Sequence, residues 1–239
     1  MHDYLYWFLG SSVVIVFWTA VGLKANRADW GFWLTNSIDG WIRIFCRYYH
    51  RLEGDTIALP DSGGAIVVAN HISGLDPFLL IASSRRPLHF LIAKEEYARF
   101  GLTWMFKLAG CIPVDRSGRV DKAFKDVIRR VKQGEVVALF PHGKIHLDSD
   151  EKIQIKPGLR RLSQKLDCAV YPARIEGVKG PGSVFTGVIL RGKVQLTCFP
   201  SLASYHFLQE DIDVQLGAVL LGRNTDTNLF NQTQSSFVH

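Results

Sequence analysis

Four short apolar runs, AIVVAN (65–70), LHFLIAK (88–94), VVALFP (136–141) and CAVYPARI (168–175), recur along the chain with helix-patterned segments between them. That alternation limits the fold more than any other feature. A strand that is apolar on both faces must be covered on both faces, and helices packed on either side of a sheet do this. Asp76-Pro77 opens one such helix. Residues 95–109 place Phe100, Trp104 and Leu108 on one side of another. VDKAFKDVIRRVKQG (120–134) spaces Val120, Phe124, Val127, Ile128 and Val131 as an apolar stripe and stops at Gly134. PGLRRLSQKLD (157–167) begins with proline in its first turn. CIPVDR (111–116) reads as a short edge strand, and FTGVILRGKVQLTCFP (185–200) as a hairpin turning at Arg191-Gly192. The hairpin makes the expected sheet mixed. The expected fold is therefore α/β, a mixed central sheet flanked by helices. It occupies residues 55–200, and residues 201–239 lose their pattern after Leu221 and read as a partly flexible extension.

Residues 1–54 read as a helical appendage. LYWFLGSSVVIVFWTAVGL (5–23) contains no charge, and as a helix it spans roughly 28 Å, about one bilayer core. No A-x-A site follows it, which argues against a removed signal peptide. Lys24 and Arg27 come directly after, then Arg43, Arg47 and Arg51. Under the positive-inside rule that bias puts the following domain on the cytoplasmic side of a membrane. In NSIDGWIRIFCRYYHRLEG (36–54), Trp41, Ile42, Phe45 and Tyr49 recur at helical spacing, with Arg43, Arg47 and Arg51 on a basic side. Such a helix suits a lipid interface, and the same face suits packing onto the domain that follows.

Net charge of +6 favours anionic partners. It is concentrated between Arg85 and Lys132, where twelve Lys/Arg face five Asp/Glu. The apolar N-terminus makes lipid headgroups a better account of this than nucleic acid, since the aromatics near the basic residues follow helical spacing. Cys46, Cys111, Cys168 and Cys198 form no C-x-x-C pair; buried free thiols are expected.

The chemistry-bearing residues follow the strands. His71 and Asp76 sit where a strand ends and a helix begins, the edge at which α/β sheets hold ligands. A carboxylate on one ring nitrogen would leave the other free to take a proton from a hydroxyl. On pattern alone, a helix-capping aspartate and an ordinary turn histidine remain equally open. In LFPHGKIH (139–146), His142 and His146 are four apart, but Pro141 and Gly143 argue for a loop rather than a metal-binding helix face. A glycine turn with Lys144 suits an anionic group better. Arg116, beside Ser117-Gly118, is a candidate phosphate ligand or an exposed loop arginine. G-x-S-x-G, G-x-G-x-x-G and Walker patterns are absent, so no protein nucleophile is expected and a substrate hydroxyl would be activated directly.

NHISGLD (70–76), CIPVDRSG (111–118), VVALFPHG (136–143) and AVYPARI (169–175) together resemble, in order, the four motifs of the glycerolipid acyltransferase family of 1-acylglycerol-3-phosphate acyltransferases. The resemblance covers roughly residues 35–200. It implies that His71 deprotonates an acceptor hydroxyl, that Asp76 orients it, and that Asn70 of the same motif, with His142, Gly143 and Lys144 of the third, contacts substrate. It implies that Arg116 binds acceptor phosphate and that Pro172 shapes the substrate pocket. The implied donors are acyl-CoA or acyl carrier protein, with no cofactor or metal. The implied acceptor is a lysophospholipid, 1-acylglycerol 3-phosphate by default. The appendage resembles the membrane-docking helices of bacterial members, which implies the bacterial inner membrane. The third motif departs from the family's F-P-E-G-T-R: His142, Lys144 and Ile145 replace glutamate, threonine and arginine, while Phe140, Pro141 and Gly143 remain. That departure leaves open another lysolipid or hydroxylated lipid acceptor, or a noncatalytic lipid-binding protein.

Overall fold

A computed structural model describes residues 2–98, 101, 103–115, 120–147 and 154–223. The N-terminal appendage is a helical hairpin: α1 (His2–Ala25), then α2 (Trp33–Ile44), which continues as a π-helical turn, Phe45–Tyr49. Behind it come β1 (Glu53–Gly54), β2 (Ala65–Ala69), α3 (Asp76–Ala82), β3 (Leu88–Ala93), α4 (Lys94–Tyr97) and α5 (Thr103–Leu108). β4 (Ile112–Val114), α6 (Val120–Lys132), β5 (Val136–Leu139), α7 (Gly158–Leu166) and β6 (Val170–Glu176) follow. α8 (Thr186–Ile189), β7 (Gln195–Cys198), a 3-10 turn (Ser204–Leu208) and α9 (Ile212–Leu220) complete the order.

The seven strands form one sheet in the order β1-β7-β6-β2-β5-β3-β4. All neighbours are parallel except β6 and β7. The sheet is mixed, as expected, but for a different reason. Residues 185–200 make no hairpin: Thr186–Ile189 is a helical turn, and β7 pairs with β6, Ala173 opposite Cys198. The stretch from Phe185 to Arg191 is held instead by the N-terminal hairpin and by the turn after β2.

β2 and β5, with their apolar side chains buried on both faces, divide the core in two. One face packs Val67, Leu75, Leu79, Leu80 and Leu88 beneath α3 and the end of α2. The other packs Ile66, Val68, Val127, Leu159 and Leu162 beneath α6 and α7. Leu202, Phe207, Ile212, Leu216 and Leu220 belong to this second core, so the segment after residue 200 covers the sheet as far as Arg223; its tail lies outside the described residues. The single helix expected over 95–109 is two, α4 and α5, because Gly101 adopts φ +81 between them. Trp104 is exposed, and Phe100 is outside the described residues.

The hairpin is joined tightly at both levels. Gly22 and Gly40 let α1 and α2 approach so closely that a Cβ on Gly40 would lie 1.8 Å from the Gly22 carbonyl oxygen. Trp18 and Trp41 stack at 5.7 Å, and Trp41 Nε1 donates to Trp18 O. Arg43 does not lie on a lipid-facing basic side, as its spacing suggested. It is buried in a fork with Asp39 and donates to Ala82 O (2.9 Å) and Ser84 O (2.7 Å), bolting α2 to the end of α3. Among the described residues no helix is long and apolar enough to cross a membrane, which corrects the reading of 5–23 as a spanning segment. The last turns of α1 are committed to α2, while Val13, Val14, Ile15, Val16 and Phe17 are exposed.

Candidate active site

β2, β5, β3 and β4 run parallel, so the loops after each leave from one edge of the sheet. Val68 pairs with Leu139, which sets His71 beside the Phe140–His142 turn. His71 stacks on Phe140 with ring centroids 4.0 Å apart and an interplanar angle of 10°, and His146 N donates to His71 O (2.9 Å). The side chain keeps 19 % of its surface exposed.

Asp76 is the first residue of α3, and its side chain turns back onto the preceding turn rather than capping the helix. Its carboxylate is fully buried. Oδ2 lies 2.8 Å from His71 Nδ1 and also accepts the N–H groups of Ile72 (2.7 Å) and Ser73 (2.9 Å). Oδ1 accepts the Ser73 hydroxyl at 2.7 Å. A carboxylate placed there accepts a hydrogen bond from Nδ1–H, which favours the neutral tautomer with its lone pair on Nε2. Among the described residues Nε2 has no hydrogen-bond partner. Of the two readings left open by the spacing, the carboxylate realises the pairing with His71; it makes no cap hydrogen bond to α3 and instead ties together the turn that precedes the helix.

The other residues of the first and fourth motifs hold the sheet. Asn70 is fully buried, donating to Ile175 O (2.8 Å) and accepting from Ile175 N–H (2.8 Å). Its amide therefore extends the β2–β6 ladder beyond Ala69. Pro172, opposite Val68 inside β6, is buried, and its carbonyl accepts Phe199 N–H. Proline is tolerated there because the antiparallel neighbour uses only its carbonyl.

The third motif brings a buried imidazole to the site. His142 is 5 % exposed, neither ring nitrogen has a partner, and its ring lies edge-on to His146 at 4.5 Å. Burial first, then the positive charge available at His146, His71 and Arg223, pushes His142 down to about 4. It is neutral at pH 7 and offers one donor and one acceptor where a glutamate would offer only acceptors. Gly143 turns with φ +79 against the Lys156 side chain, and Lys144 is exposed. Arg116 lies outside the described residues, two positions past the end of β4. Among the described residues no group of three or more His, Cys, Asp or Glu is arranged to hold a metal ion. The cysteines are free; burial raises Cys46 and Cys198 to about 12, which leaves neither a thiolate nucleophile.

Sequence reasoning missed two contributors. Ser73 occupies a variable position of the motif yet holds Asp76 Oδ1, and Phe140 supplies the apolar wall on which His71 stacks. The N–H groups of the turn after His71 are already used. Those of Ile72 and Ser73 bond Asp76, that of Gly74 bonds Ser183 O, and that of Leu75 bonds Ser73 Oγ.

A histidine held by a buried carboxylate at the carboxyl edge of a mixed sheet has the geometry to take a proton from a hydroxyl. The chain belongs to the Acyltransferase family, whose model matches residues 53–176. It is 32% identical over 122 residues to a probable 1-acyl-sn-glycerol-3-phosphate acyltransferase of Mycoplasma genitalium, a match covering 48% of this chain and 45% of that protein. It is 24% identical over 139 residues to the 1-acyl-sn-glycerol-3-phosphate acyltransferase of Bacillus subtilis, covering 58% of this chain and 66% of that one. The matches thus span less than two thirds of these relatives. The fold is shared with the 1-acyl-sn-glycerophosphate (LPA) acyltransferase PlsC of Thermotoga maritima, at TM-score 0.63 and 20% identity over 92% of each chain.

Proposed function

We propose that the protein transfers an acyl group from the thioester of acyl-CoA or acyl carrier protein to the free hydroxyl of a lysophospholipid, 1-acylglycerol 3-phosphate in the first instance. The observation that carries this is the 2.8 Å contact of His71 Nδ1 with a buried Asp76 while Nε2 stays open. Nε2 takes the hydroxyl proton as the oxygen attacks the thioester carbonyl. The C–S bond then breaks, and the imidazolium returns the proton to the departing thiolate. Asp76 stabilises the imidazolium between those steps. Arg116 and Lys144 are the proposed phosphate ligands, with His142 and Gly143 at the acceptor and Pro172 setting the wall of the pocket. No cofactor is required by this scheme.

His142 favours a second reading of the acceptor. A neutral ring with both nitrogens free suits a hydroxylated headgroup as well as a bare phosphate. The exposed apolar surface of α1 supports association with one leaflet, and the cations that follow α1 complement anionic headgroups there.

The test is transfer by the purified full-length protein to a panel of lysolipids, with acyl-CoA and with acyl carrier protein as donors. His71→Ala, at a partly exposed position, is expected to fold and to lose transfer by roughly 100- to 10,000-fold. Near-parental turnover by that variant rejects the base. Thioester hydrolysis that needs no acceptor would make the protein a thioesterase, and lipid binding without turnover would make it a noncatalytic binder.

A further inference from the structure

Residues 183–190 form a strap over the His71 turn that the proposed chemistry does not use. From within, Gly74 N–H donates to Ser183 O (3.2 Å) and Gly182 N–H to Ile72 O (2.7 Å). Gly187 lies so near Ser73 that a Cβ there would sit 2.7 Å from the serine Cβ. The end of the N-terminal hairpin holds the strap from the other side. Tyr49 Oη donates to Ile189 O (2.6 Å), His50 Nε2 lies 3.2 Å from Val188 O, and Arg191 Nε donates to Tyr49 O (3.1 Å).

With these carbonyls occupied, the strap turns apolar side chains outward. Ile189 is 66% exposed and Leu190 46%, with Val184 exposed beside them. Tyr48 and Tyr49 are exposed on the adjoining π-helical turn, and Arg47, Arg51, Lys179 and Arg191 are exposed around the patch. The carboxylate of Glu53 is paired with Lys193 (3.3 Å). Apolar tips rimmed by tyrosines and cations, on a backbone with its own hydrogen bonds, suit the headgroup zone of a bilayer. The cations complement anionic headgroups.

We propose that residues 184–190 are a second lipid-docking edge, seated on an anionic phospholipid surface and distinct from α1. The edge is continuous with the hairpin through the Tyr49–Ile189 bond. It extends the membrane association proposed for α1 and places the His71 turn directly behind the lipid contact.

The test uses the full-length chain carrying Ile189→Cys labelled with an environment-sensitive fluorophore, and vesicles of phosphatidylglycerol and phosphatidylcholine. The native thiols are buried or half-buried, which favours labelling of the introduced one. Val214→Cys is the control, on α9 at the opposite face of the sheet and 74% exposed. The expected result is a blue shift at position 189 that weakens with salt, and no shift at 214. Ile189→Ser with Leu190→Ser is expected to weaken vesicle binding about tenfold. A silent probe at 189, equal shifts at both positions, or unchanged binding by the double variant overturns the proposal. So does a shift that grows with protein concentration without vesicles, which would make the edge a contact with a second copy. None of these readouts needs turnover, so they stand apart from success or failure of the acyl-transfer assay.

Discussion

Replacing Asp76 with alanine and with asparagine separates the two tasks its carboxylate performs. Alanine removes the acceptor from the buried N–H groups of Ile72 and Ser73, as well as from His71 and the Ser73 hydroxyl. The hydroxyl can rotate to another partner; the two N–H groups cannot. Each stranded donor costs about 1–3 kcal/mol, or about 2–6 kcal/mol for the pair. Against a total stability of about 5–15 kcal/mol that is a large fraction, and Tm should fall on the order of 10 °C. Asparagine can put its carbonyl oxygen at the Oδ2 position, which keeps the Ile72 and Ser73 N–H groups satisfied, and its amide toward Ser73 Oγ, which then accepts while the hydroxyl proton turns to another partner. It should cost about 1 kcal/mol, the difference between charge-assisted and neutral bonds. Turnover should nevertheless drop roughly 100- to 10,000-fold, because the imidazolium formed during proton transfer no longer faces a negative charge. Urea unfolding and acyl transfer on the same preparations measure both quantities. An alanine variant as stable as the parent would refute the anchoring account, and an asparagine variant with parental turnover would refute the dyad.

Asn70→Ala should strand the N–H and C=O of Ile175 and cost about 2–6 kcal/mol in urea unfolding; its KM for acceptor should stay near parental, whereas a direct substrate contact predicts a KM effect. Gly187→Ala forces its Cβ against Ser73 and should lower kcat through Asp76, with about 1–3 kcal/mol of overpacking in thermal unfolding; parental kcat would mean the strap does not position the dyad. His142 has its pKa lowered from 6.5 to about 4 by burial and neighbouring positive charge. As pH falls below 6.5 the unfolded chain takes up a proton at this position that the folded chain refuses until about pH 4. Stability present above that window is lost across it, by up to about 3 kcal/mol. His142→Asn should flatten this part of the acid limb in a pH series of urea midpoints; an unchanged limb assigns the loss to other groups.

The parts of the fold that could be read from the sequence are those in which local pattern and tertiary need agree. AIVVAN is apolar at every position because β2 lies between two cores, and no surface strand would have that composition. Asp76-Pro77 announced a helix start because the restricted φ of proline and an acidic residue in the first turn act within a few residues. The failures came where a contact distant in sequence decides. GVIL reads as a strand from β-branched composition, yet Val188 and Ile189 give their carbonyls to His50 and Tyr49, some 140 residues earlier, and the chain turns helical there. Arg43 fits a basic helix face by spacing, but Asp39 one turn before it and the carbonyls at the end of α3 draw it inside. The site divides in the same way. His71 and Asp76 are five residues apart, so a single turn could bring them together and the spacing alone suggested it. Asn70 sits beside His71 in sequence and looked like a ligand contact. Only the register of β6 reveals that Ile175 consumes its amide. A residue's place in a motif thus indicates proximity to the chemistry, while the pairing of the next strand decides whether its polar atoms face substrate or sheet.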